Sequence, residues 1–395
     1  MMMLKDQIQR IATEIKNDII SKRRYLHQNP ELSFHEYNTS AFIKASLDAI
    51  NVTWEPVADT GVLATIKGQN ASDRIIVVRA DMDALPISEK TDVSYKSLHE
   101  GIMHACGHDV HVSSLLGVAE ILTKLDNNFK GTVMLVFQPA EEILPGGAIN
   151  IIEKSTLSNL HISAIIGQHV MPSIPFGKVG IKVGSFMASM DEIRIRILGR
   201  GGHSAEPHKN TDPVIATSAV ILSLQQVVSR LNNPNTPTVL SFGKIYANGA
   251  INIIPDEVLI EGTFRTIDEE WRKEAHNRLK TIARSTAEAY GCKCVIDIKK
   301  GYPSLYNDIA LTAKIRDLMN NYLGDENIID SPVWMASDDF AYYSRLTDTC
   351  FFLLGVGYEG TENPSLHTSL FDIDENSIEL STGLMSYLVL GLLDN

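Results

Sequence analysis

Cysteine is scarce in this chain. Four thiols in 395 residues, with no C-x-x-C pair, exclude a disulfide framework. Basic charge is also short, since 35 Lys and Arg face 48 Asp and Glu for a formal net charge of −13. The cationic face that nucleic acid or an anionic membrane would require is therefore missing. The opening residues hold no apolar core of signal-peptide length. No stretch approaches the ~20 apolar residues of a membrane span. These absences point to the cytoplasm. Familiar hydrolase and cofactor signatures are absent too. His35-Glu36 is followed by Tyr37-Asn38-Thr39, so H-E-x-x-H is not formed. No G-x-S-x-G supports a serine nucleophile elbow. Gly199-Arg-Gly-Gly-His-Ser204 lacks the last glycine of a dinucleotide loop.

What remains is an ordinary globular composition, 44% hydrophobic and 21% charged, long enough for two domains. The start reads as an amphipathic helix to about Gln28. The runs Arg74–Arg79, Thr132–Phe137 and Ala164–Ile166 read as buried strands. Leu115, Leu116, Val118, Ala119, Leu122 and Leu125 have a helical period, and Asn127-Asn128 closes that segment. Alternating strands and helices predict an α/β fold, with a mixed, mostly parallel sheet flanked by helices. From Ser185 the rhythm changes to β-α-β-β-α-β, the order of a ferredoxin-like unit. The expected division is a metal-binding catalytic domain at 1–184 and 299–395. An inserted α+β lid or dimerisation domain occupies 185–298. Cys292, Cys294 and Cys350 lie in strand-like runs and read as packing residues.

Met103 to His111 holds three histidines, Cys106 and Asp109. Gln138-Pro-Ala-Glu-Glu142, Gln168-His-Val170 and Leu366-His-Thr368 add carboxylates and imidazoles. Thiolate, imidazole and carboxylate together suit a divalent transition metal, zinc above all. Adjacent Glu141 and Glu142 allow one to bind metal while the other moves a proton. These ligand-type residues follow predicted strands, where sites form in open α/β sheets. Cys106 and His108 precede a helix, which favours thiolate. His104 and His111 read either as supports for ligands or as surface histidines. Asp83, with Asp81, either orients a ligand imidazole or caps a turn. His203 in its glycine loop either reaches a substrate oxyanion or is a turn residue.

Six segments occur in one order: Arg79-Ala-Asp-Met-Asp-Ala-Leu-Pro86, Met103-His-Ala-Cys-Gly-His-Asp109, Phe137-Gln-Pro-Ala-Glu-Glu142, Gly199-Arg-Gly-Gly-His-Ser-Ala205, Asn252-Ile-Ile-Pro-Asp256 and Ser337-Asp-Asp-Phe340. Together they resemble the M20 metallopeptidase family in its amidohydrolase branch. That branch contains enzymes of the aminoacylase, hippurate hydrolase, auxin-conjugate hydrolase and N-acetyldiaminopimelate deacetylase kinds. The resemblance implies two divalent ions per subunit, with Cys106 bridging. His108, Glu142, His169 and His367 would complete the ligands. Glu141 would be the general base, and His203 the oxyanion donor, in many relatives supplied across a dimer. Asn252 and Arg265 would lie near the substrate, Arg265 facing its carboxylate. Peptidase relatives carry H-x-D after the first strand. Here Asp81 takes the histidine position, which argues against a ligand role for Asp81 and leaves Asp83 only the orienting role.

The expected activity is hydrolysis of a small N-acyl amino acid to a carboxylate and a free amino acid. Cys106 favours zinc; manganese, nickel or cobalt also suit such a site. A homodimer or higher homo-oligomer is expected, with no nucleic-acid or membrane partner. The alternatives are a dipeptidase or carboxypeptidase of the same family, and a non-catalytic metal-binding protein.

Overall fold

The computed structural model describes residues 2–125 and 128–394. Asn127, expected to close a helix, lies outside them. In chain order the helices and strands begin with α1 (Met2–Gln28), α2 (Tyr37–Ala49), β1 (Thr53–Val57), β2 (Gly61–Lys67), β3 (Asn70–Asp81), α3 (His108–Lys124), β4 (Lys130–Gln138), α4 (Gly147–Lys154), β5 (Ala164–Pro175) and β6 (Val179–Ile181). Next come β7 (Asp191–Leu198), α5 (Pro213–Leu224), β8 (Thr238–Ala247), β9 (Glu257–Thr266), α6 (Glu269–Ala289) and β10 (Lys293–Lys300). The last are α7 (Ile309–Leu323), β11 (Ile328–Asp330), β12 (Thr349–Gly357) and α8 (Asn376–Leu393). Two compact units result. One comprises Met1–Gly184, Tyr306–Pro332 and Asp339–Asn395, the other Ser185–Leu305 and Val333–Asp338.

The first unit is built on an eight-stranded sheet of order β1-β2-β4-β3-β5-β12-β6-β11. Pairs β3–β4, β3–β5, β5–β12 and β6–β11 are parallel; β1–β2, β2–β4 and β12–β6 are antiparallel. The fold is thus the mixed α/β sheet expected. β12 is buried along its whole length and β4 beyond its first residues. That explains why both read as apolar runs without alternation. α3 and α8 bury nearly every side chain. β5 extends well past the Ala164–Ile166 run, because β12 pairs with it as far as Pro175. His169 therefore lies within a strand rather than after one.

The second unit has a four-stranded antiparallel sheet, order β8-β9-β7-β10. With α5 and α6 it reproduces the ferredoxin-like arrangement. β7 alternates as its sequence requires: Ile193, Ile195 and Ile197 are buried, Glu192, Arg194 and Arg196 exposed. Period-2 side-chain alternation explains this. Arg194 pairs with Glu261 and Arg196 with Glu257 on the outer face. Cys292 and Cys294 are buried in this core, and Cys350 in that of the first unit; all four cysteines are free.

One sequence expectation needs correction. The 19-residue segment Pro213–Leu231 is long and apolar enough to cross a membrane by length and composition. Its helix is interrupted, however, with α5 ending at Leu224 and a π turn following at Val227–Leu231. Ala216, Val220, Leu224 and Val227 pack into the core of the unit. Ile215 and Leu222 are 55% and 75% exposed, so an apolar face points outward.

A buried ion pair ties α6 to the sheet. Arg272 Nε and Nη2 donate to Asp191 at 3.0 and 2.5 Å. His276 Nε2 and the Gly301 N–H also reach Asp191, at 2.6 and 3.1 Å. Burial pushes the Asp191 carboxyl up, but hydrogen bonds from His276 and Arg272 outweigh it and hold it at about 2. Its contribution is complete above the ordinary value of 3.8 and is lost as pH falls through 2. Arg272→Ala leaves this carboxylate without its cation and should cost roughly 3–5 kcal/mol. Urea unfolding measures it; a loss below ~1 kcal/mol would show the pair to be dispensable.

Candidate metal centre

β3 and β4 end side by side, with Asp81 opposite Gln138, while β5 pairs with β3 as far as Arg79 opposite Gly167 and then runs on past them. Beyond these ends the first unit gathers its candidate ligands. The loop before α3 supplies Cys106, and the first residue of α3 is His108. Gly107, between them, has φ 80° and caps the helix. A side chain there would meet Val170 Cγ2 at 2.4 Å. Glycine thus serves both the left-handed turn and the close approach.

The expected ligands converge. Cys106 Sγ lies 3.4 Å from His169 Nε2 and 3.2 Å from His367 Nε2. His367 Nε2 is 3.3 Å from Glu142 Oε1, and His108 Nε2 is 4.0 Å from the same oxygen. Two triads share the thiol: Cys106 with His108 and His169, and Cys106 with Glu142 and His367. Glu141 joins His108 and Glu142 in a third group. His367 has φ 61°, a backbone state that costs energy in a non-glycine residue and recurs at functional sites.

The surrounding hydrogen bonds orient the candidate ligand atoms. Asp83 accepts from His108 Nδ1 at 3.3 Å, and its carbonyl does so at 2.9 Å. The remaining nitrogen of His108, Nε2, then carries the lone pair. His169 Nδ1 donates to the Val170 carbonyl at 2.8 Å, turning its Nε2 towards the thiol. Buried His108 Nε2 and Glu142 Oε1 have no hydrogen-bond partner. Buried polar atoms are nearly always satisfied, and two orphaned lone-pair donors facing one another fit a cation. The electrostatics agree. Burial, then Glu142, Glu141 and Asp81, push the Cys106 thiol well above its ordinary value. A divalent ion at that point would reverse the balance and stabilise thiolate. Burial pulls His108 down, but Asp81, Asp83 and Glu142 bring it to about 10, so a metal ion taken up there would displace the Nε2 proton to expose that lone pair.

Asp83 also accepts the Ser33 hydroxyl at 2.6 Å and the N–H groups of Glu141 and Glu142 at 3.1 and 3.0 Å. Asp81 Oδ2 lies 3.6 Å from His108 Nε2, and its other contacts are protein groups. It accepts from Arg79 Nη1 at 2.6 Å and from His111 Nδ1 at 2.5 Å. Burial opposes its ionisation, yet Arg79, His108 and His111 hold its pKa well below the usual value. His111 and His104 are both buried, which removes the surface alternative for either. His111 Nε2 accepts the Val170 N–H at 3.0 Å, so that nitrogen is not offered to a metal. Its link to Asp81 spans 30 residues and has no local sequence signal. Glu36, Arg79 and Gln138 were likewise not legible as parts of this site.

The remaining candidates lie in the second unit. His203 and Ile253 pair in a two-residue ladder, and Ser204 N–H donates to the Asn252 carbonyl at 3.1 Å. Asn252 and His203 are thereby neighbours. Ala205 N–H donates to His203 Nδ1 at 3.1 Å, leaving Nε2 of this exposed ring as the donor when neutral. Arg265 lies on β9 and donates to the Met335 carbonyl at 3.1 Å. Partial burial lowers the pKa of its guanidinium.

Residues 77–390 match the family described as Peptidase family M20/M25/M40. The chain belongs to this family. N-acetyl-L-cysteine deacetylase of Bacillus subtilis (strain 168) is 41% identical over 365 residues, 92% of this chain and 85% of that protein. N-acyl-L-amino acid amidohydrolase of Geobacillus stearothermophilus is 38% identical over 306 residues, 77% of this chain and 82% of its own. The crystal structure of a dinuclear metal-binding M20 peptidase from Bacillus subtilis superposes with a TM-score of 0.83 at 32% identity, covering 97% of this chain and 99% of that one. As an M20 member of the amidohydrolase branch, the protein is a hydrolase of amide bonds.

Replacing the shared thiol should separate a ligand from a packing residue. Cys106→Ser substitutes a neutral hydroxyl for a thiolate and should lower metal retained after dialysis by at least about tenfold in affinity. Unchanged stoichiometry and affinity would return Cys106 to the core.

Proposed function

We propose that this M20 enzyme hydrolyses small N-acyl amino acids, using two divalent ions held by Cys106, His108, Glu142, His169 and His367. The sharing of Cys106 Sγ between two ligand triads carries this reading. Zinc suits the thiolate best, and manganese, nickel or cobalt also suit the mixed donor set. When bound, the ions supply Lewis-acid polarisation of the amide carbonyl and make water acidic enough to attack near neutral pH.

The protein's own groups do the rest. Glu141 accepts the proton of the attacking water and delivers it to the departing amine nitrogen. Glu142 is committed to coordination, and Asp83 holds the N–H groups of both glutamates. His203 Nε2 donates to the oxyanion, Asn252 orients the substrate, and Arg265 pairs with its α-carboxylate. The relatives' names support an N-acyl amino acid as substrate. We place the activity in the cytoplasm, where reducing conditions keep Cys106 a thiol.

We further infer a homodimer formed through the second unit. Ile215 and Leu222 present an apolar outer face on α5, and β8 is an edge strand of its sheet. A second copy covering both would remove apolar surface from water and satisfy the open strand edge.

Glu141→Gln should retain both metals and lose roughly 10²–10⁴-fold in kcat on N-acetyl amino acids. A near-normal rate at full metal occupancy would remove Glu141 from the proton transfer. His203→Ala should lower kcat by about 10²–10³-fold, as loss of one oxyanion donor does. Mixing it with Glu141→Gln tests sharing across the dimer. A hybrid keeps one complete site and should regain activity; a demonstrated hybrid without activity would place His203 in its own subunit's site.

A further inference from the structure

Glu36 is buried, is not among the candidate ligands, and faces the residue that precedes Glu141. Its Oε1 accepts the Ala140 N–H at 2.8 Å and the Phe34 N–H at 2.9 Å. Its Oε2 accepts the Thr60 hydroxyl at 2.8 Å. Both backbone donors belong to left-handed residues, Phe34 with φ 67° and Ala140 with φ 53°. For residues with a Cβ that conformation costs of order 1–3 kcal/mol and persists only when the surroundings impose it. Glu36 supplies that imposition from a single oxygen.

The far side of Ala140 is held as well. Gly147 N–H donates to the Ala140 carbonyl at 2.9 Å. A side chain at Gly147 would fall 1.8 Å from the Pro139 carbonyl oxygen, so only glycine permits this approach. The next two N–H groups, of Glu141 and Glu142, end on Asp83. Three consecutive amides are therefore held by two buried carboxylates. Asp83 also touches His108, but Glu36 is tied to the loop itself.

We propose that Glu36 is a positioning residue for Glu141: by holding Ala140 in its left-handed state, it sets the direction in which the Glu141 carboxylate leaves the β4 end. The proposal rests on the reading of Glu141 as proton shuttle. Without Glu36, Ala140 relaxes towards ordinary φ, and the peptide before Glu141 turns. The ligands Cys106, His108, His169 and His367 come from other segments, and Glu142, the fifth, keeps its N–H anchored on Asp83, so the main loss falls on proton transfer rather than on binding.

The test uses the full-length, metal-loaded enzyme and an N-acetyl amino acid. Glu36→Ala should lower kcat by about 10–10²-fold, the scale of a displaced catalytic group, while KM stays within about 3-fold. Metal stoichiometry should be unchanged. Glu36→Gln keeps an oxygen for both N–H donors and should restore kcat to within about 3-fold of the native enzyme. Amide hydrogen exchange over residues 138–142 should be faster in Glu36→Ala and native-like in Glu36→Gln. Where Glu36→Ala fails to fold, Glu36→Asp, one methylene shorter, should give the same split of kcat from KM. A native kcat in the shortened variants, a Gln variant as slow as the Ala variant, or unchanged exchange would overturn the proposal. Glu141→Gln assayed alongside separates the two ideas. If that variant keeps the native rate, the proton-shuttle reading fails, while the exchange measurement still decides whether Glu36 holds Ala140.

Discussion

Buried anionic chemistry where β3 and β4 end beside β5 is the constraint on which the first unit depends. Cys106, Asp81, Asp83 and Glu141 are all buried, and Glu142 lies beside them. Isolated buried charge is expensive unless it is paired, hydrogen-bonded or coordinated. The protein meets this demand in two ways. Asp81 and Asp83 are satisfied by protein groups, Arg79 and His111 for the first, and Ser33, His108 and backbone amides for the second. Cys106, Glu142 and the three imidazoles converge instead on one another, with His108 Nε2 and Glu142 Oε1 left without hydrogen bonds. A divalent cation would satisfy the second group.

The scaffold behind the site is built to resist that concentration of charge. Arg79 is buried under the strand ends and donates to Asp81, to Asp339 at 2.7 Å and to Gln138 at 3.0 Å. Asp339 in turn accepts the Ala148 N–H at 2.9 Å, and Tyr343 donates to Gln138 at 3.0 Å. This network locks the end of β3 to the end of β4 and to the start of α4. On the other side Asp109, next to His108, is bound by Arg23 Nε at 2.8 Å and lies 2.8 Å from His27 Nδ1. The loop that carries Cys106 and His108 is thus braced through α1 and α3. Preorganisation of this kind fixes ligand geometry before any metal or substrate arrives.

Much of this was legible in the sequence, and the rest was hidden for definable reasons. Ile75–Val78 in β3, Val133–Phe137 in β4 and Cys350–Leu354 in β12 are continuous apolar runs, so their strand character shows directly. Cys106, Glu142, His169 and His367 stood out as metal-ligand chemistry in a chain with few cysteines. β1 contains Glu55 and Pro56 and lies at the sheet edge, so it carries no buried-strand pattern. β6 and β11 have three residues each, too few for any period. The length of β5 depends on its pairing with β12, a contact far along the chain. His111 could not be placed because its partners, Asp81 and Val170, are distant in sequence. Glu36 drew notice only as part of a metalloprotease motif that is not formed, yet its carboxylate is spent on Ala140. Side chains that act through backbone amides leave no residue pattern to read.

The most direct measurement is anomalous diffraction from crystals of the protein loaded with zinc or manganese. The account predicts two metal peaks about 3.5–4 Å apart, the spacing of two-metal hydrolytic sites. Cys106 Sγ should lie within coordination distance of both, His108 and His169 on one and Glu142 and His367 on the other. A single ion, or two ions of which either lies beyond reach of Cys106, would contradict the shared-thiolate centre.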